Sequence, residues 1–262
     1  MANVYSLDGK VSGKIELPKV FKTDYRPDLI QRAVVTLDAN ERQVYGHDVE
    51  AGLRSSADYY AVRRHTYRLT INRGISRLPR EKPGGGGLGR VRIVPQSRGG
   101  RRAHGPNKKS WHKKINKKEY LLALKSAIAA ASNKDLIAKR GHSIGNVKEI
   151  PLIVEDSFNE LNKTKDVVNT LRILGLEDEL KRSKEKKTKA GRGKTRGRKY
   201  RTRKSLLIVL DKESNVKSAA DNIPGVDVTT VDTLDVGLLA PGTLPGRLTL
   251  WTKSAIKNID KI

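Results

Sequence analysis

The chain has 262 residues, no cysteine, a formal net charge of +26, and only 36% hydrophobic and 5% aromatic residues. Lack of cysteine excludes a disulfide framework and a thiolate metal centre; no apolar run reaches membrane-span length; and MANVYSLDGK lacks the layout of a secretory leader, so a cytosolic protein is expected. A charge of this size predicts a polyanionic partner, most simply nucleic acid.

The charge is concentrated. Arg54–Lys118 carries 19 Lys/Arg against 2 acids, and Lys181–Lys204 carries 14 against 1, which leaves the remainder at −4. Two basic segments therefore interrupt a slightly acidic globular protein.

In chain order, residues 2–17 alternate weakly around Asp8-Gly9 and Ser12-Gly13, predicting a small hairpin or arm. RPDLIQRAVVTLDANERQ, from Arg26, predicts a helix with Pro27 at its first position, Asp28 on its dipole, and Leu29, Ile30, Ala33, Val34 and Leu37 on one face. From about Val44 to Asn116 no period persists. Patterning resumes in KKEYLLALKSAIAAAS, where Leu121, Leu124, Ile128 and Ala131 form the expected apolar stripe. EIPLIVED reads as a buried parallel strand, and KTKDVVNTLRILGL as a helix with Val167, Val168, Leu171 and Leu174 inward and Gly175 as its stop. SLLIVLD, ESNVKSAADNIPG, VDVTTVD, GRLTLW and SAIKNI then read as strand, helix and turn, strand, strand and terminal helix. This alternation predicts a parallel α/β sheet covered by helices on both faces.

Catalytic motifs fail on context. Gly84, Gly86 and Gly89 match G-x-G-x-x-G, but Pro83 precedes them and the extended-looking RVRIVP follows, where a strand and then a helix are needed. GRGKT at 191–195 lacks the first glycine of a P-loop, since position 188 is Thr188. No two of the histidines, at 47, 65, 104, 112 and 142, have the i, i+4 spacing of a helical zinc site. Asp156, Asp211 and Asp232 follow predicted strands, where three carboxylates could hold magnesium for a metal-dependent α/β enzyme acting on RNA. Helix capping is the favoured reading, with a capping box at Ser157–Glu160, Asp211 or Ser214 capping the next helix, and Asp232 and Asp235 opening another. No base, nucleophile or pocket accompanies these acids, so no catalytic residue, metal or cofactor is expected.

The basic segments carry the strongest signal. Arginines recur among glycines, which suits forked phosphate contacts and close backbone approach, while aromatics are too sparse for a base-stacking platform. The expectation is a chain threaded through folded RNA and reading phosphate, sugar and shape. A loop of about 65 residues folded on itself would reach at most roughly 110 Å, with the run of four glycines near its tip. Candidate RNA-binding residues in the first segment are Arg54, Arg63, Arg64, Arg68, Arg98, Arg101, Arg102, Lys108, Lys109, Trp111, His112, Lys113 and Lys114. In the second they are Lys189, Arg192, Lys194, Arg196, Arg198, Lys199, Arg201 and Arg203.

RGGRRAHGPNKKSWHKKINKKE (98–119), GHSIGNVKEIPLIVEDSFNELNKTK (141–165), KAGRGKTRGRKYR (189–201), NIPGVDV (222–228) and LAPGTLPGRLTLWTKSA (239–255) resemble the archaeal and eukaryotic branch of the ribosomal protein L-four family. The resemblance covers nearly the whole chain. It implies a Rossmann-like, mainly parallel α/β sheet flanked by helices, with a long extended basic loop inserted. It divides the chain into an arm and first helix at 1–45, an rRNA-threading loop at 46–113 and the remaining globular domain at 114–262, with the second basic segment at 181–204. It implies a structural, non-enzymatic role in the large ribosomal subunit: binding 23S-type rRNA and neighbouring large-subunit proteins, supporting assembly, and lining the nascent-peptide exit tunnel. The tip would comprise Arg73, Arg77, Arg80, Lys82, Gly84, Gly85, Gly86, Gly87, Arg90 and Arg92. No membrane partner and no homo-oligomer are expected.

Overall fold

The structure, a computed structural model, describes residues 1–59, 74–81, 89–107 and 109–261. The chain divides into two compact units, one formed by Met1–Glu41 with His112–Ile262 and the other by Arg42–Trp111.

The first unit begins with β1 (Ala2–Tyr5) and β2 (Val11–Ile15), an antiparallel pair that answers the expected hairpin, followed by α1 (Pro27–Glu41). It resumes with α2 (Lys117–Ala130), α3 (Lys134–Arg140), β3 (Leu152–Val154), α4 (Thr164–Ile173) and α5 (Glu177–Lys184). A short ribbon of β4 (Lys187–Thr188) and β5 (Tyr200–Arg201) follows. Then come β6 (Leu207–Leu210), α6 (Asn215–Ala220), β7 (Asp227–Thr230), α7 (Val236–Leu239), β8 (Thr249–Thr252) and α8 (Lys253–Asn258).

Six strands form one sheet in the order β2-β1-β3-β8-β6-β7. Every neighbouring pair is parallel except β1 with β2. The last strand in the chain, β8, occupies a central place between β3 and β6, with Leu152 opposite Leu250 and Leu250 opposite Ile208. Interior strands of a sheet covered on both sides need apolar residues at every position. LIV in β3 and LIVL in β6 meet that need and are buried throughout.

Because side chains alternate between faces, each strand feeds two cores. Ile153, Leu207, Val209 and Trp251 pack with residues of α1, α2, α7 and α8 on one face. Leu152, Val154, Ile208, Leu210 and Leu250 pack with Ile137 of α3, Val167 and Leu171 of α4, and Val216 of α6 on the other. Trp251, fully buried, meets the edge of Phe21 at 5.6 Å between ring centroids and donates its indole N–H to Thr249 Oγ1 at 2.9 Å.

Several expectations are corrected. Leu121 is exposed, since α2 turns Ala123, Leu124, Ala127 and Ile128 inward. The capping box at Ser157–Glu160 does not form, and neither Ser157 nor Glu160 makes the reciprocal bonds. Ser214 is the residue before α6 but makes no capping bond, and its hydroxyl is buried without a partner. Asp211 does not cap α6 either, because its carboxylate accepts from the Asn258 side chain. Asp235 precedes α7 and accepts instead from the Tyr120 hydroxyl at 2.6 Å. The α3 and α5 helices were not anticipated.

The two points where the first unit is interrupted are tied together. Asn40 Nδ2 donates to the Lys113 carbonyl at 3.2 Å, and the Lys113 amide donates to Asn40 Oδ1 at 3.0 Å. This clasp joins the end of α1 to the approach to α2.

Candidate nucleic-acid interface

The unit Arg42–Trp111 is more organised than its sequence pattern suggests. Asp58 and Arg80 exchange backbone bonds at 3.0 and 2.9 Å, and Arg80 also bridges to Val91. Around that pairing the Glu81 amide donates to the Arg90 carbonyl, and the Arg92 amide to the Pro79 carbonyl, each at 3.0 Å. At the unit's ends the His47 amide donates to the Pro106 carbonyl at 3.1 Å, and Gly105 lies so close to the His47 ring that a Cβ there would fall 2.6 Å from Cγ. Tyr45 and Trp111 stack at 4.9 Å, with the Arg42 guanidinium 4.5 Å and the Lys109 ammonium 4.6 Å from the Trp111 ring centroid. Arg42 and Tyr45 were not singled out by the sequence reading. The aromatic at 45 opposite Trp111 is a pairing that sequence spacing does not reveal.

The arginines of this unit divide into two sets. Arg54 pairs with Asp48 at 2.7 Å and Glu50 at 3.2 Å. Arg80 donates to Ser76 and to the Gly89 carbonyl. Arg92 pairs with Glu81 at 2.7 Å and also donates to the Arg98 carbonyl. These three are occupied within the unit and brace its turns. Arg77, Arg90, Arg98 and Arg102 are exposed, Arg101 is half-buried, and none has an acidic partner among the described residues. Lys109, His112, Lys113 and Lys114 are exposed as well. Arg63, Arg64, Arg68, Arg73, Lys82, Gly84, Gly85, Gly86, Gly87 and Lys108 lie outside the described residues.

The second basic segment is a distinct object. The Lys189 amide donates to the Lys199 carbonyl at 2.9 Å beyond the β4–β5 pair. The turn is a 3-10 helix, Arg192–Arg196, closed by Gly197 at φ +80°. Among the described residues no acid pairs with Lys189, Arg192, Lys194, Arg196, Arg198, Lys199 or Arg201. Of the candidates in this second segment Arg203 alone has one, Glu185 at 3.4 Å. A two-stranded ribbon is marginal in water by itself, and unscreened like charges weaken it further.

Behind the ribbon lies a buried polar network. The Glu179 carboxylate accepts from His142 Nδ1 at 2.7 Å, the Ser143 amide at 2.9 Å, Arg182 at 2.8 and 2.6 Å, and the Ser205 hydroxyl at 2.9 Å. Burial alone works to raise this carboxyl. The bonds from Arg182 and His142 outweigh it and hold the group down at about 2. Burial lowers His142, and the ring's bonding fits the neutral form: Nδ1 donates to Glu179 while Nε2 accepts from the Leu248 amide at 3.4 Å. Arg247, at 0% exposure, donates to the carbonyls of Ser205, Leu206, Gly225 and Leu238 and to Asp227.

The three strand-end acids do not form a catalytic centre. Asp156 Oδ1 accepts from the Ser254 amide at 2.9 Å in the first turn of α8, Asp211 holds Asn258, and Asp232 is exposed. No group of three His, Cys, Asp or Glu able to hold a metal occurs among the described residues. Among them, too, no helix is long and apolar enough to cross a membrane.

Residues 15–262 match the model of the ribosomal protein L4/L1 family. The chain belongs to that family. It is 46% identical over 261 residues to the large ribosomal subunit protein uL4 of Methanococcoides burtonii, an alignment covering 99% of this chain and 97% of that one. The uL4 of Archaeoglobus fulgidus is 44% identical, covering 99% and 98%, and that of Natronomonas pharaonis 45%, covering 98% of each. Family membership extends over the basic segments as well as the α/β body, so both are features of the family's chain rather than appendages to it.

Proposed function

We propose that this chain is a structural, non-enzymatic constituent of the large ribosomal subunit, cytoplasmic with the ribosome, and that its exposed cations bind rRNA. The observation that carries this is the Lys189–Arg201 ribbon: seven cations without an acidic partner among the described residues, on a two-stranded element too slight to be stable alone. RNA phosphates supply the missing counter-charge. In this reading the α/β body is a Rossmann-like anchor whose outer surface meets rRNA and neighbouring subunit proteins. The segment 46–113 threads extended between RNA elements, and its tip near 73–92 borders the path of the nascent peptide. Support comes from the family match and from the arginines at 77, 90, 98 and 102, which have no acidic partner among the described residues. Segments that order on RNA give up conformational entropy at that step, which the charge contacts must offset.

Sedimentation of the tagged chain with large ribosomal subunits tests the reading. The chain should co-sediment and stay bound through a moderate-salt wash. A chain that remains at the top of the gradient with subunits present overturns it.

A further inference from the structure

A groove of about 350 Å³ opens in the first unit between α4, α5 and the turn at 222–224 that follows α6. Its lining differs from that of the ribbon. Val168 and Leu180 are only partly covered by the core beneath them, and with Ile223 and Pro224 they give the groove an apolar floor. Helical spacing explains the arrangement. Val168 and Arg172 stand four apart on α4, and Leu180 and Lys184 stand four apart on α5. Each helix therefore contributes one apolar side chain and, one turn further on, one cation. Arg172 and Lys184 are exposed and have no acidic partner among the described residues. Lys181, also on the rim, is engaged by Glu177 at 3.2 Å and Asp178 at 3.9 Å. The rim is left with the two uncompensated charges of Arg172 and Lys184 over an apolar floor.

This combination selects its occupant. No aromatic side chain lines the groove, so a nucleic-acid base has nothing to stack on. A phosphate seated on the floor would lose its water against aliphatic side chains that offer no donor. A wholly apolar ligand would leave Arg172 and Lys184 unanswered. The volume lies at the small end of binding pockets; it takes one or two large side chains and not a whole helix. Floor and rim are satisfied together by a short polypeptide segment with apolar anchors flanked by carboxylates. The anchors supply the burial and the ion pairs fix the register.

We propose that this groove is a docking site for an acidic, apolar-anchored segment of a partner protein. One or two large apolar side chains of that segment enter between Val168, Leu180 and Ile223, and the flanking carboxylates pair with Arg172 and Lys184. The site is a protein-binding face of the α/β body, built by α4 and α5 rather than by the ribbon or by Arg42–Trp111. It stands on the groove's own chemistry and does not rest on the rRNA reading.

The test uses the full chain and a fluorescein-labelled acidic peptide of about 12 residues carrying two leucines four apart, read by fluorescence anisotropy at physiological salt. A version with both leucines replaced by alanine is the comparison. The parent should hold the leucine peptide roughly tenfold more tightly than the alanine version. R172E/K184E, at exposed positions, should lose roughly tenfold in affinity for the leucine peptide. T164W, which fills the groove from the first residue of α4 without changing charge, should block binding. R192E/R196E, on the ribbon's turn, should leave it unchanged. The proposal is overturned if the leucine peptide does not bind, if both peptides bind alike, or if R172E/K184E and T164W leave affinity unchanged. It also falls if R172E/K184E weakens binding of a 23S-type rRNA transcript while peptide binding is unaltered, which makes the groove an RNA face. Co-sedimentation of the parent with large subunits keeps the two readings apart. A chain that co-sediments but does not hold the peptide loses the groove alone, and one that holds the peptide but never co-sediments loses the rRNA reading alone.

Discussion

Arg247 shows how one side chain can hold several strands' ends at once. Its fork has no solvent exposure and satisfies four carbonyls and a carboxylate drawn from the β6 and β7 approaches and from α7. Arg247→Met would leave those carbonyls without their buried donor and Asp227 with Lys204 as its remaining cation, costing about 3 kcal/mol and lowering the melting temperature measurably in a calorimetric scan. Arg247→Lys should recover only part of this, since a single ammonium cannot reproduce the fork. Glu179 predicts an acid limit. Its folded value of about 2 lies below its ordinary 4.5, so the stability it contributes is full above pH 4.5 and is lost as pH falls toward 2. His142 acts in the same direction from a higher pH. Its lowered folded value means that the unfolded chain takes up a proton first, and stability declines as pH drops below about 6.5. Urea unfolding between pH 7 and pH 3 should show this decline, and in Glu179→Gln, a less stable chain, the acid limb should flatten.

Elements legible in the sequence were those whose burial forces a pattern. The β3 and β6 strands were readable because both faces of the sheet are covered, and α4 because Val167, Leu171 and Leu174 fall on one side. The α5 helix was not, because its sequence EDELKRSK is nearly all charged and its inward residues are Glu179 and Ser183, whose burial depends on partners at 142 and 205. The same holds for the groove. Arg172 and Lys184 were visible as charges, but they share a rim only when α4 and α5 are set beside the turn at 222–224. Capping was over-read at Ser157 because a 3-10 turn has no place for the reciprocal box. Helix ends nevertheless yield a contrast to test. Gly141 and Gly175 both close helices at positive φ, +92° and +86°. A Cβ at 141 meets nothing within 4 Å, whereas one at 175 would lie 2.0 Å from the Asn146 carbonyl. Gly141→Ala should cost about 1 kcal/mol from backbone strain alone. Gly175→Ala should cost several times more, measured by chemical denaturation of both variants.

For the whole molecule, the Asn40–Lys113 clasp predicts that the α/β body survives loss of the other unit. A chain in which residues 42–111 are replaced by a short Gly/Ser linker should unfold cooperatively, within a few degrees of the parent, because the cut ends are already held together. Loss of cooperativity would show that the two units are not separable in folding. The same deletion should reduce the salt dependence of rRNA binding without abolishing it, since the ribbon remains.

The central position of β8 has a consequence for biosynthesis. Until Thr249–Thr252 leaves the ribosome, β3 and β6 each face the solvent along an unpaired backbone edge, and the sheet exists only as two halves. The newborn polypeptide must therefore wait with two sticky apolar rims bared and its strongly cationic stretches already emerged. Early capture of those stretches by RNA or by an escort would keep it soluble through that interval, which makes the final strand the latch that ends a vulnerable stage of synthesis.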